Sequence, residues 1–159
     1  MPISRDLALT GAEQESLLRD QWNMRISTIS PSGRINATPL WFVWHDGRIW
    51  TYCRGRKVEN LRSNLNCTVL VDRAEQFQEL QGIMMEGEAT VLEDAAAENA
   101  EYALGEVRRL YGAKYAGGHG EAGERAEPST ASARGRNWRW VVIAPRSVVS
   151  WDNTKLATS

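Results

Sequence analysis

The run WTYCRGRKVENLRSNL, residues 50–65, is where the sequence concentrates its chemistry. Alternating apolar residues end at Cys53, a glycine among three cations follows (Arg54, Gly55, Arg56, Lys57), and helical spacing resumes with Val58, Leu61 and Leu65. A strand that feeds a helix leaves free backbone amides at the helix start, where the dipole favours an anion. Arg56 and Lys57 add charge-assisted hydrogen bonds, roughly twice as strong as neutral ones. The chemistry this pattern suits is holding a phosphate. The alternative is a solvated charged loop, but cations in a first helical turn oppose the dipole and weaken the helix. A fold that accepts that cost has a use for them.

Other chemistry is thinly supplied. Cys53 and Cys67 are the only cysteines and lack C-x-x-C spacing, which reads as two buried small hydrophobes rather than a disulfide or zinc site. With only His45 and His119, no multi-histidine metal site is expected. Residues 25–73 carry eight Lys/Arg against three Asp/Glu, whereas residues 74–133 carry four against twelve. The first block is the candidate anion site and the second a solvated acidic face. A nucleic-acid binder carries a basic domain as a whole, and this chain, with net charge −1, does not. Seven tryptophans in 159 residues suit both a core and a ring-stacking surface.

These residues need elements to position them. Thr10 and Glu13 form a capping box that predicts a short N-terminal helix. MRISTIS (24–30), a PSGR turn, and INATPLWFVW and RIWTYC joined at Asp46-Gly47 predict three consecutive antiparallel strands. CTVLVD returns to β character, and LQGIMMEGEATVLED predicts one long strand, with a bulge or close backbone approach at Gly82 and Gly87. Asp94 caps a predicted helix through AAAENAEYALGEVRRLY, with Ala100, Ala103, Val107 and Leu110 inward and Gly112 as its stop. Residues 113–137 lack an apolar period and read as a flexible loop, and WRWVVIAP and SVVSWDN read as two closing strands. The expected fold is mainly β (α+β): one domain over residues 1–159, a six- to seven-stranded antiparallel barrel, closed or partly closed, with short flanking helices. No apolar stretch is long enough for a membrane span and the N-terminus lacks a signal-peptide order, which predicts a cytoplasmic protein.

The segment from MRISTIS through TPLWF and GRK to CTVLVD resembles the core of the flavin and deazaflavin split β-barrel proteins, the pyridoxamine-phosphate-oxidase-like superfamily. GEATVLED and SVVSWD fit as well, so the resemblance covers most of the chain. It implies a cofactor phosphate at Arg56 and Lys57 with Thr51 beside it. It places the cofactor ring along Thr38, Pro39, Leu40 and Trp41, near Ser27 and Thr28, and a homodimer with two cofactor sites at the interface. The terminal Trp151-Asp152 and the short TPLWF form look like the actinobacterial branch, many of whose members use the deazaflavin coenzyme F-420. Asn36 stands where vitamin B6 oxidases carry an arginine, and their Arg-rich C-terminal segment is not recognisable here. The resemblance therefore implies a reductase using the deazaflavin, with FMN as the alternative cofactor and a small organic substrate, rather than B6 oxidation.

If such a ring is bound, the hard chemistry is the cofactor's and no protein acid/base pair is required. No catalytic residue is assigned; Trp41, Trp44 and Trp151 are candidate walls of the substrate space, and His45, His119, Tyr52 and Tyr115 are weaker candidates for proton transfer. Two other functions fit the same fold: a non-catalytic small-molecule carrier, and a single-stranded nucleic-acid binder. The second is disfavoured because the cations gather in one turn rather than along a groove.

Overall fold

A computed structural model of the protein describes residues 5–116 and 137–158. Among these residues, seven strands form one antiparallel sheet: β1 (Asn23–Ile29), β2 (Ile35–Trp41), β3 (Val43–His45), β4 (Arg48–Cys53), β5 (Asn66–Arg73), β6 (Gln81–Leu92) and β7 (Arg139–Asp152). Their order is β2-β1-β5-β6-β7-β4-β3. The two edge strands, β2 and β3, are separated in the chain by Phe42 alone, so the sheet must curl until its edges meet. Thr51 fastens that seam: its hydroxyl donates to the Trp41 carbonyl at 2.7 Å, linking β4 to the end of β2. The result is the partly closed barrel expected from the sequence, with seven strands.

Alternation sorts the core. Met24, Ile26, Ile49, Cys53, Val69, Val71, Ile83, Met85, Val141 and Ile143 fill the barrel interior, joined by Leu17 and Leu18 of α1 (Gly11–Asp20) and Val58 and Leu61 of α2 (Arg56–Ser63). On the outer face, Trp50, Leu92, Trp140 and Val142 pack under Leu104, Val107, Tyr111 and Tyr115 of a helix spanning Leu104–Tyr115. Thr10 makes both halves of its capping box, and Asp46 and Gly47 both adopt positive φ (54° and 67°) in the β3–β4 turn. Gly82 lies under the Trp151 ring and Gly87 against the Ala144 carbonyl, where β6 and β7 shift register. None of the helices among the described residues is long and apolar enough to cross a membrane.

Several details differ from the sequence expectation. The predicted helix after Asp94 is two, α3 (Ala95–Ala100) and α4 (Leu104–Tyr115), with Ala100 exposed and Tyr111 and Tyr115 buried in its place. Gly112 does not end α4, because Tyr115 anchors another turn: its ring stacks on Trp41 at 4.4 Å and its hydroxyl accepts from the Phe42 amide at 2.8 Å. Residues 113–115 of the predicted loop are thus helical, and most of the rest of it lies outside the described residues. Leu65 lies beyond α2 and is exposed, and the two closing strands are one, since Pro145 sits at the register shift where Arg146 is extra.

The Tyr115 hydroxyl also lies 2.8 Å from the carbonyls of Trp22 and Phe42, either of which can accept its proton. Tyr115→Phe strands the buried Phe42 N–H, and the expected cost is about 1–3 kcal/mol, read as a lower urea midpoint with an unchanged m-value.

Candidate functional site

The site grows from the end of β4. After Cys53 the chain turns through Gly55, whose φ of 81° is one that L side chains rarely adopt, and α2 begins with no side-chain cap. The first intrahelical bonds run from Val58 and Glu59 to the Gly55 carbonyl, so the amides of Arg56 and Lys57 lie ahead of the helical ladder. Apart from its two chain neighbours, no described atom stands within 4 Å of the place a Gly55 Cβ would occupy, which leaves open space at that point of the turn. Lys57 Nζ donates to the Arg54 carbonyl at 2.8 Å, folding its ammonium back over the turn. The Arg54 guanidinium lies 5.1 Å from the Trp138 ring, which stacks on Tyr52 at 5.2 Å.

The charges here differ from most of those elsewhere. Arg25, Arg48, Arg62, Arg108, Arg109, Arg139 and Arg146 each face a carboxylate within ion-pair distance. Among the described residues, Arg54, Arg56 and Lys57 have none; Arg34, Arg73 and Lys114 also lack one but stand apart on the β1–β2 turn, β5 and α4, so three gather only at the start of α2. Three cations without described carboxylate partners beside free helix-start amides make a cradle that could hold an anion such as a phosphate.

The other predicted residues divide into two groups. Thr51 is fully buried at the seam, with its proton committed to Trp41, and Trp41 turns outward to stack on Tyr115. Thr28 is also buried and accepts from Asn60 Nδ2 at 3.0 Å, which ties β1 to the helix that carries the cations. Thr38 and Leu40 pair with Ile26 and Met24 and share their inward face. Continuity of β4 into α2 and these two hydrogen bonds bring Thr28, Trp41, Thr51, Arg56 and Lys57 into one framework. By contrast, Pro39, Ser27 and Trp151 lie on the outer face. Ser27 lines a shallow cavity of about 420 Å³ with Ile29, Ile35, Thr68 and Arg146, and Trp151 covers Gly82 on β6. A single chain does not bring Trp151 to the cradle.

The sequence did not single out Asn60 or Trp138. A polar side chain on the Val58–Leu61 face was the available signal for Asn60. Trp138 gave none, because its partner Tyr52 is remote in sequence. His45 is half-buried at the end of β3, where its carbonyl accepts from Trp50 Nε1, and His119 lies outside the described residues. Burial pushes the Cys53 and Cys67 thiols up to about 11 and about 12, which makes them inert as nucleophiles at neutral pH.

Lys114, on α4, also lacks a described carboxylate partner, and burial pushes its amine down to about 8 from the ordinary 10.5. Between those values the unfolded chain holds a proton that the folded chain has released, so stability rises with pH there; the cost of the buried charge is fully present below about 8. The two thiols act in the opposite sense. Their folded pKa values are raised, so their stabilisation is complete below the ordinary 9.0 and is lost as pH climbs through the folded values. Stability is expected to rise from about pH 7.5 to about pH 9 and then to fall. Lys114→Met removes the rising limb and adds about 1–2 kcal/mol at neutral pH, allowing for the amine's partial exposure. Urea midpoints across this range read both effects.

A family model described as pyridoxamine 5'-phosphate oxidase matches residues 10–151. The conserved hypothetical protein Rv2991 from Mycobacterium tuberculosis superposes with a TM-score of 0.78 at 23% identity, covering 99% of this chain and 93% of that one. HutZ, the heme storage protein from Vibrio cholerae, superposes at 0.68 with 14% identity, over 89% and 94% of the two chains. A protein described as F420 reductase superposes at 0.58 with 19% identity, over 85% and 94%. At these identities the shared property is the fold. No curated protein matches the chain.

Proposed function

The chain belongs to the pyridoxamine 5'-phosphate oxidase family, and on that premise we propose that it is an oxidoreductase that binds a flavin-type cofactor, the deazaflavin coenzyme F-420 in preference to FMN, and reduces a small organic substrate. The observation that carries the proposal is the trio Arg54, Arg56 and Lys57, left without carboxylate partners at a helix start opened by Gly55. The likeness to an F420 reductase supports the choice of cofactor.

The residues fit such a group. Arg56, Lys57 and their amides would hold the phosphate. Thr51, through the Trp41 carbonyl, fixes the β2 segment Thr38–Trp41 that would border the ring, and Asn60 fixes Thr28 against α2. When bound, the ring supplies hydride transfer, while the protein supplies orientation and exclusion of water. A second copy would complete the site. Ile35 on the outer face is 74% exposed and Ile29 beside it 37%, and pairing through this face would carry Ser27 and Trp151 to a partner's cofactor. Asn36 donates to the Arg34 carbonyl and brings no charge to β2, which favours a substrate other than a B6 phosphate ester.

Equilibrium binding of coenzyme F-420, FMN and heme tests the proposal, followed by turnover of the reduced cofactor with quinone, bilin and enone acceptors. Saturable binding of the deazaflavin, tighter than FMN, and oxidation of its reduced form by an acceptor are expected. Binding of heme alone would overturn the assignment and leave a heme carrier; binding of a flavin-type ring without turnover would leave a cofactor carrier.

A further inference from the structure

A second cavity lies away from the cradle, where α1, β3 and α4 meet. Its volume is about 350 Å³, within the range of small-molecule sites, and its lining is Arg19, Val43, Trp44, Leu110, Ala113 and Lys114. Trp44 lies opposite Ile49 on β4, six residues before Gly55, so roughly 20 Å of extended chain separates this cavity from the cradle.

Lys114 gives the cavity its character. The side chain lies half-buried although a lysine stem is long enough to carry its ammonium to water. Nζ donates to the carbonyls of Phe42 (3.2 Å) and Leu18 (3.4 Å) and lies 4.1 Å from the centre of the Phe42 ring. An ammonium has three protons, and these two carbonyls account for two. Its surroundings are carbonyls and ring faces, and no described carboxylate lies within ion-pair distance. The charged groups nearby are already engaged: Arg19 Nε donates to Asp20 at 3.1 Å, and Glu15 accepts from Trp44 Nε1 at 2.9 Å, which also fixes the indole plane. Asp20 acts on Lys114 only at a distance. A half-buried cation of this kind is completed by one negative charge, delivered by a guest whose remaining surface is apolar.

We propose that this cavity binds a small aryl monocarboxylate, its carboxylate on Lys114 Nζ and its ring against Trp44, Val43 and Leu110. One available ammonium proton suits a monoanion rather than a phosphate dianion, which requires more donors. The site is independent of the cofactor assignment and can be tested whether or not a flavin-type ring binds elsewhere.

The chain has three lysines, Lys57, Lys114 and Lys155, so a lysine-labelled NMR spectrum is readily assigned. The probes are benzoate and its neutral isostere benzamide. Benzoate is expected to shift the Lys114 signals saturably and to raise the titration midpoint of that amine, leaving Lys57 and Lys155 unmoved. Benzamide should bind at least about tenfold more weakly, and Lys114→Met should abolish the difference between the two probes. No Lys114 shift at about 10 mM benzoate, equal binding of the two probes by the wild-type chain, or a shift confined to Lys57 would overturn the proposal. Because the comparison of probes uses the wild-type chain, a variant that fails to fold does not blunt the test.

Discussion

Gly87→Ala is expected to destabilise the protein by about 3 kcal/mol, through overpacking at backbone that cannot give way. A Cβ at this position would stand 2.4 Å from the Ala144 carbonyl oxygen, 3.0 Å from its carbon and 3.1 Å from Pro145 Cα. All three atoms are β7 backbone at the register shift, where Ser147 pairs with Glu86, Pro145 with Gly87, and Arg146 is extra. Moving β7 outward would disturb the pairing of Ala89 with Ile143 and of Val91 with Val141, both within the barrel core. Gly82→Ala is the internal control. There the added Cβ meets the Trp151 ring at 2.2 Å, but an indole at the end of a side chain can swing away, so the expected cost is nearer about 1 kcal/mol. Urea unfolding of the two variants checks the ranking. Equal losses would mean that β7 yields as easily as a side chain, and the register shift would then be no rigid feature of the fold.

The same comparison explains which parts of the fold were legible in the sequence. Gly82 and Gly87 stood out in LQGIMMEGEATVLED because a glycine inside a strand marks close approach, and both have a neighbour that a Cβ would strike. Thr10, Asp46, Gly47 and Asp94 were legible because each acts on backbone within a few residues of itself. The break at Phe42 was not, because LWFVWH, the stretch around it, contains no turn residue; the chain leaves β2 there as the closing barrel brings Trp41 to Thr51. Gly112 misled for a related reason. Its local preference to end a helix is overridden by Tyr115, which gains a stacked tryptophan and a buried hydrogen bond one turn later. The site divides the same way. The cation cluster could be read from local spacing, whereas the partners that frame it, Asn60 for Thr28 and Trp138 for Tyr52, meet across 32 and 86 residues of chain and leave no local pattern. Lys114 shows the limit most clearly, since nothing in its sequence neighbours sets its burial.

The double replacement Arg56→Ala with Lys57→Ala separates a functional cradle from a solvated loop, because only the cradle predicts a loss of phosphate binding, while either role leaves stability level or slightly raised. Each charge-assisted contact to a phosphate is worth about 1.5–3 kcal/mol, so losing two lowers affinity for a phosphate-bearing ring by at least about a hundredfold. Arg56 is exposed and Lys57 half-buried, with one bond to the Arg54 carbonyl, so little packing is lost. Removing two cations from a first helical turn also relieves their repulsion from the dipole, and stability should hold or rise by a few tenths of a kcal/mol. The decisive comparison is FMN against riboflavin, which share a ring and differ in the phosphate. Wild-type protein should prefer FMN, less strongly at high salt as the cations are screened, and the double variant should bind the two alike. If the variant keeps the full preference, the phosphate sits elsewhere and the cations at the start of α2 are only surface charge. If the preference disappears while the urea midpoint stays in place, three cations without carboxylate partners have acquired a function that their cost to the helix already implied.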